Sequence, residues 1–165
     1  MEPIDEDVVE EIWQGVAEFT PSQIKREMQK LGKEQPALLS FILEFTDEVD
    51  QEVKGLALYM FFTVYRMFQK GFGKKIKSIS PDEIINCYES NEKLMQRLEG
   101  AHDKFYDRIA KTQVSEQPFI MKHILETLFE QSDDEDPVDL TDDDIGYLYL
   151  LLKTEIDILN TTTNE

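Results

Sequence analysis

Acidic side chains are concentrated in one short stretch, residues 133–144, where eight of the twelve residues carry a carboxylate. Carboxylate oxygens are the ligands that calcium prefers, so this stretch is the first candidate for a metal site. An EF-hand loop requires oxygen ligands at positions 1, 3 and 5, glycine at position 6 and glutamate at position 12. Starting the loop at Asp134 puts valine at position 5, and starting it at Asp139 puts leucine at position 12. We therefore expect a solvated loop whose acids and Thr141 cap the next helix, with weak non-specific divalent binding as the alternative.

The two histidines and the single cysteine are the next candidates for chemistry. Glu99 and His102 form a Glu-x-x-His pair of the kind found in di-iron bundles, but such a site needs a second pair and two further glutamates. The other histidine, His123, has isoleucine three residues before it. Cys87 has no histidine near it in sequence, so a structural thiol is favoured over a nucleophile. The sequence predicts no catalytic residue, no cofactor and no specific metal site, although a spatial pairing of these groups stays open.

A cluster of lysines lies near the middle of the chain, at Lys70, Lys74, Lys75 and Lys77. The glycines beside them have neither the spacing of a phosphate-binding loop nor a strand before them. One interpretation is that a glycine here ends a helix and the lysines complement the negative helix end. The other interpretation is that the lysines bind an acidic surface, either on a partner or in the chain's own loop at 133–144.

Composition limits the class of partner. The chain has 165 residues, of which 41% are hydrophobic and 32% charged, and its net charge is −18. A charge of this sign repels nucleic acid and anionic membranes and suits a basic protein partner or simple solubility. One cysteine allows no internal disulfide, the first residues lack a positive signal region, and the run from Leu56 to Val64 is too short to span a bilayer. We expect a soluble, cytoplasmic protein.

Apolar residues recur at spacings of three and four throughout the chain, which predicts an all-α fold of seven to eight helices. Capping signals mark several helix starts, among them Thr20-Pro21 and Ser80-Pro81. Gly32 is the expected end of the second helix, and the fourth helix is expected from about Gln51 to Gln69.

A repeated segment predicts two related halves. EQPALLSFILE begins at Glu34 and EQPFIMKHILE begins at Glu116, with six of eleven residues identical at an offset of 82. The fourth and last helices align at an offset of about 91, which places an insertion in the acidic loop. We expect an internal duplication of a unit of about 80 residues, since random pairing at average composition gives fewer than about one identity in eleven positions. The halves, 1–79 and 80–165, should share one core in a single compact domain.

The fourth predicted helix is apolar nearly all round, so it is either central to the core or half core and half interface. Aromatic residues and methionine are enriched at interfaces. The candidate interface therefore combines this helix with the lysine cluster: Tyr59, Met60, Tyr65, Met67, Lys70, Lys74, Lys75 and Lys77.

Two classes of function follow from these observations. The first is a non-catalytic, acidic interaction or regulatory module that binds a protein partner or forms a homodimer. The second is a helical enzyme or small-ligand binder with its site where the halves join, using His102, His123 or buried acids.

Overall fold

All secondary structure in the described part of the chain is helical, as the sequence predicts. The computed structural model describes residues 3–99, 116–129 and 139–163, with the backbone alone at 74 and 97–99. There are seven α-helices in these ranges: α1 (Glu6–Ala17), α2 (Pro21–Glu34), α3 (Pro36–Phe45), α4 (Gln51–Phe72), α5 (Pro81–Glu99), α6 (Pro118–Phe129) and α7 (Asp142–Thr163). A short 3₁₀ turn over Gly73–Lys75 follows α4. His102 and residues 133–138, the first half of the acidic loop, lie outside the described residues.

Polar side chains cap the starts of α2, α5 and α7, whereas α1, α3 and α4 have no side-chain cap. The Gln23 backbone N–H donates to the Thr20 hydroxyl at 3.2 Å, and the Gln23 side chain accepts from the Thr20 backbone at 2.8 Å. The same reciprocal pair joins Thr141 and Asp144 at the start of α7, with both distances 3.1 Å. These caps satisfy backbone donors that a helix leaves unpaired.

Two glycines near helix ends have different roles. Gly73 ends α4 with a positive φ of 54°, as one of the sequence interpretations requires. The prediction for Gly32 is wrong, because α2 continues past it to Glu34 and its φ is not positive. A Cβ at Gly32 would lie 2.9 Å from the Leu39 side chain, so this glycine permits close packing of α2 against α3.

The long helices α4 and α7 lie at the centre of the core and pack against each other. Helix α1 and helix α3 pack on α4, while α5 and α6 pack on α7. This position explains why α4 is apolar nearly all round: Met60, Tyr65 and Met67 are buried and Tyr59 is half-buried. Of the two alternatives for this helix, the burial of Met60, Tyr65 and Met67 supports the central core. No helix in the described residues is both long and apolar enough to cross a membrane.

The second half of the chain has several structural features in common with the first half. Helices α4 and α7 each have 22 residues and are 91 residues apart at both ends. Thr63 and Thr154 occupy the same place in them, and each hydroxyl donates to the backbone carbonyl four residues earlier, at 2.7 and 2.8 Å. Helix α3 packs against α5 as α6 packs against α1.

Candidate functional site

A groove lies between α3 and the start of α5, where the two halves of the chain meet. Its volume is about 670 Å³. The residues that line this α3–α5 groove are Pro36, Ala37, Ser40, Phe41, Glu44 and Phe45 from α3, and Ser78, Ile79, Ser80, Pro81, Ile84 and Ile85 from the start of α5 and the segment before it. The groove is mainly apolar, with serine hydroxyls and one carboxylate among its lining groups.

Aromatic rings cluster at the end of the groove where α3 finishes. The ring of Phe45 lies 4.6 Å from the ring of Phe41 and 4.7 Å from the ring of Tyr88 on α5. Phe41 and Tyr88 also meet, edge to face, at 5.9 Å. Such ring pairs add about 0.5–1.5 kcal/mol each beyond the area that they bury. The aromatic contacts therefore hold α3 and α5 at a fixed separation at this end.

The amide of Gln35 fixes the segment at the other end of the groove. It donates to the Lys77 carbonyl at 2.8 Å and accepts from the Ile79 backbone N–H at 3.0 Å. Gln35 is buried, so these bonds replace water that the two backbone groups would otherwise bind. The glutamine of the repeated EQP motif thus positions the segment that leads into α5.

Ile85 gives the groove an exposed apolar edge. Its side chain remains 39% exposed although it lies beside the buried Ile84. Leu43 on α3 is also 39% exposed, but it does not line the groove. Ile85 and Leu43 are therefore equally exposed, but Ile85 borders the groove and Leu43 does not.

The charges around the groove are mixed at one end and acidic at the other. Lys70, Lys75 and Lys77 are exposed, and Lys77 directly precedes the lining residue Ser78 at the end held by Gln35. The exposed residues at the end of α3 include the acids Glu44, Asp47 and Glu48, and the first turn of α5 carries Asp82 and Glu83. Lys77 of the predicted lysine cluster thus borders an apolar surface, and that surface belongs to α3 and α5. For Lys74, the structure describes the backbone alone.

No family model, curated protein or solved structure matches the chain. The chemistry of the groove itself therefore decides what it can bind.

The two described candidates for chemistry, His123 and Cys87, make separate contacts. His123 on α6 stacks against Trp13 of α1, with ring centroids 5.2 Å apart. Burial lowers the pKa of His123 to about 4 and raises the pKa of the Cys87 thiol to about 11. Both groups are therefore neutral at pH 7, and a neutral thiol is a poor nucleophile. Among the described residues, no three metal-ligating side chains cluster, and His102 lies beyond those residues.

The structure shows a polar network between α5 and α7 that the sequence analysis does not predict. The Lys153 ammonium donates to the Asn91 amide oxygen at 2.9 Å and to the Asp157 carboxylate at 2.5 Å. The Asn91 amide nitrogen donates in turn to Asp157 at 3.2 Å and to the Thr154 hydroxyl at 3.3 Å. The i, i+4 spacing of Lys153 and Asp157 is visible in the sequence and is typical of an ion pair. The same spacing is common on the exposed faces of helices, so it does not predict a buried network. Every member found here has a partner, so the network is a structural tie between the two helices.

Glu155 on α7 departs from this satisfied pattern, as does the buried Tyr149 hydroxyl on the same helix. Glu155 is fully buried, and neither carboxylate oxygen has a hydrogen-bond partner among the described residues. Burial raises the pKa of Glu155 well above its usual value, because the charged form loses its hydration. The position 91 residues earlier holds Val64, which is also buried. A carboxyl in an apolar position of a central helix costs stability, and it lies away from the groove lining.

Proposed function

We propose that the protein is a non-catalytic interaction module that holds an apolar segment of a partner protein in the α3–α5 groove. The observation that carries this proposal is the exposed edge of Ile85 over a mainly apolar groove of about 670 Å³. Covering apolar surface stabilises a complex by about 25 cal/mol for each Å² removed from water. A partner that fills the groove and covers Ile85 gains this energy.

The groove is formed before a partner arrives, which favours binding. The rings of Phe41, Phe45 and Tyr88 fix one end, and the two hydrogen bonds of Gln35 fix the other. A rigid site loses little conformational freedom when it binds, so more of the contact energy appears as affinity.

We also propose that the chain arose by duplication and that only one of two related faces kept an apolar surface. Phe41 corresponds to His123, 82 residues later, and Tyr88 corresponds to Trp13, 75 residues earlier. The rings of Phe41 and Tyr88 are in contact, and so are the rings of Trp13 and His123. At the same offset of 75, Ile85 corresponds to Glu10, which is exposed and acidic. The related face between α1 and α6 therefore presents a charge where the α3–α5 groove presents isoleucine.

A small apolar ligand is the second candidate, because the volume of the groove lies within the roughly 300–1,000 Å³ of small-molecule sites. The groove also lies where the halves join, the place expected for a ligand binder. Its polar groups are Ser40, Ser78, Ser80 and Glu44. These groups suit orientation of a ligand by hydrogen bonds.

Photo-crosslinking from Ile85 tests the proposal. A photoreactive phenylalanine analogue at position 85 should give a discrete protein adduct in an extract of the source cells, and the same group at Leu43 should give none. Leu43 is the matched control because its exposure is equal and it lies outside the groove. An adduct of twice the chain's mass would identify a second copy as the partner.

Dependence of the adduct on the groove decides the outcome. Ser40→Trp places a large ring in the groove and should abolish the adduct from position 85, whereas Ser90→Trp on the exposed face of α5 should preserve it. An adduct that survives Ser40→Trp, or no adduct from position 85 at all, would overturn the proposal.

A further inference from the structure

The α3–α5 groove has a shape and a set of charges that select one kind of segment. We propose that its partner is a basic amphipathic α-helix, lying along α3 with its apolar face on Phe41, Ile84 and Ile85. This inference rests on the proposed function and adds the chemistry of the partner.

The walls of the groove favour a helix over an extended segment. One wall is α3 and the other is α5 with residues 78–80 before it. The backbone groups of the two helices are paired within each helix, and the Ile79 N–H is already bound to Gln35. An extended segment lying on the apolar floor would leave its own N–H and C=O groups without partners, because the described part of the chain offers no strand edge. A helix satisfies its backbone internally and presents side chains alone, which is the helix-in-groove mode of recognition.

The length of the groove matches about three turns of helix. Along α3 it extends from Pro36 to Phe45, and ten residues of helix span about 15 Å. Apolar side chains at positions i, i+3 or i+4, and i+7 of a partner span about 10 Å. A short apolar stripe therefore fits between the aromatic end and the segment held by Gln35.

Charge selects a basic helix. Glu44 is the one ionisable side chain among the described lining residues, and Asp47 and Glu48 are exposed just beyond it. Asp82 and Glu83 flank the opposite wall, and the whole chain carries a net charge of −18. Lysine or arginine residues beside the apolar stripe would meet these carboxylates, and the negative field would speed their approach.

Fluorescence anisotropy with three designed 14-residue peptides tests the inference at physiological salt. The first peptide has leucines on one helical face and lysines elsewhere, the second replaces each lysine by glutamate, and the third has the composition of the first with its leucines scrambled. The leucine–lysine peptide should bind one to one with micromolar Kd, at least tenfold more tightly than either control peptide. Ile85→Lys should weaken that binding at least tenfold, while Leu43→Lys, which adds the same charge outside the groove, should change it less than twofold.

The outcomes separate this inference from the proposed function. Equal, Ile85-dependent binding of the glutamate peptide would refute the basic character of the partner and leave the groove as an apolar binding site. Equal binding of the scrambled peptide would reduce the interaction to net charge and overturn the inference. Binding of neither helical peptide would contradict the groove as an interaction surface for helices, and with it the proposed function.

Discussion

Gln35 and Gln117 make equivalent contacts in the two halves of the molecule. The side-chain oxygen of Gln35 accepts from the backbone N–H of Ile79 at 3.0 Å, and that of Gln117 accepts from the backbone N–H of Ile4 at 2.8 Å. Each glutamine thus holds the segment that leads into a helix of the other half. Both side chains are buried, so the repeated motif ties the halves together through its glutamine.

Replacing either glutamine should destabilise the fold. Gln35→Met keeps the length of the side chain but leaves the Lys77 carbonyl and the Ile79 N–H without their partner. An unsatisfied buried polar group costs about 1–3 kcal/mol, and we expect a loss in this range from urea unfolding, and a similar loss for Gln117→Met. Gln14→Met, at an exposed position on α1, is the control and should leave the unfolding midpoint unchanged. A Gln35→Met variant as stable as the wild type would show that these bonds do not hold the halves.

Removing the buried carboxyl of Glu155 should stabilise the protein at neutral pH. Because its folded pKa lies above its unfolded value near 4.5, the unfolded chain releases a proton that the folded chain keeps. Stability is therefore lost as pH rises above the unfolded pKa. Glu155→Met should gain about 1–3 kcal/mol at pH 7, the cost of burying an unpaired polar group, and the gain should shrink toward pH 4. Chemical denaturation across pH measures this difference, and a variant less stable than the wild type at pH 7 would indicate a partner for Glu155.

His123 should contribute a pH dependence of the opposite sign. Its pKa is lowered to about 4 in the folded chain, so between pH 6.5 and 4 the unfolded chain binds the extra proton and stability falls as pH falls. The loss should approach about 3 kcal/mol by pH 4. His123→Phe, which copies the related residue Phe41, should remove this loss while keeping the ring contact with Trp13. Equal pH profiles for the variant and the wild type between pH 4 and 6.5 would contradict the burial of a neutral imidazole.

The sequence predicts more of the fold than of the site, for physical reasons. Helical periodicity and caps such as Thr20–Gln23 act within a few residues, so the helices could be predicted locally. The apolar surface of α4 could not be divided between core and interface, because that division depends on α7, 91 residues away. Likewise, the sequence around Ile85 does not distinguish it from other helix residues, because its place at the groove depends on α3.

Two ion pairs should differ in their contribution to stability. Lys153 is buried and bonded to Asn91 and Asp157, whereas Lys122 is exposed and pairs with Glu6 at 3.3 Å. Lys153→Met leaves the buried Asn91 amide oxygen without this partner, while Asp157 is partly exposed to water, so the substitution should cost about 1–3 kcal/mol. Lys122→Met, the control, should leave the urea midpoint unchanged. Equal effects of the two substitutions would contradict the burial of the network between α5 and α7.

The most direct test of the groove as an interaction surface is an amide NMR titration of the full chain with the leucine–lysine peptide. The account predicts saturable shifts on residues 36–45 and 78–88, with the amides of α1 and the exposed side of α2 unchanged. It also predicts that Ile85→Lys removes these shifts while Leu43→Lys retains them. Shifts centred on the acidic face of α1, or scattered over all acidic surfaces with no dependence on Ile85, would contradict the claim.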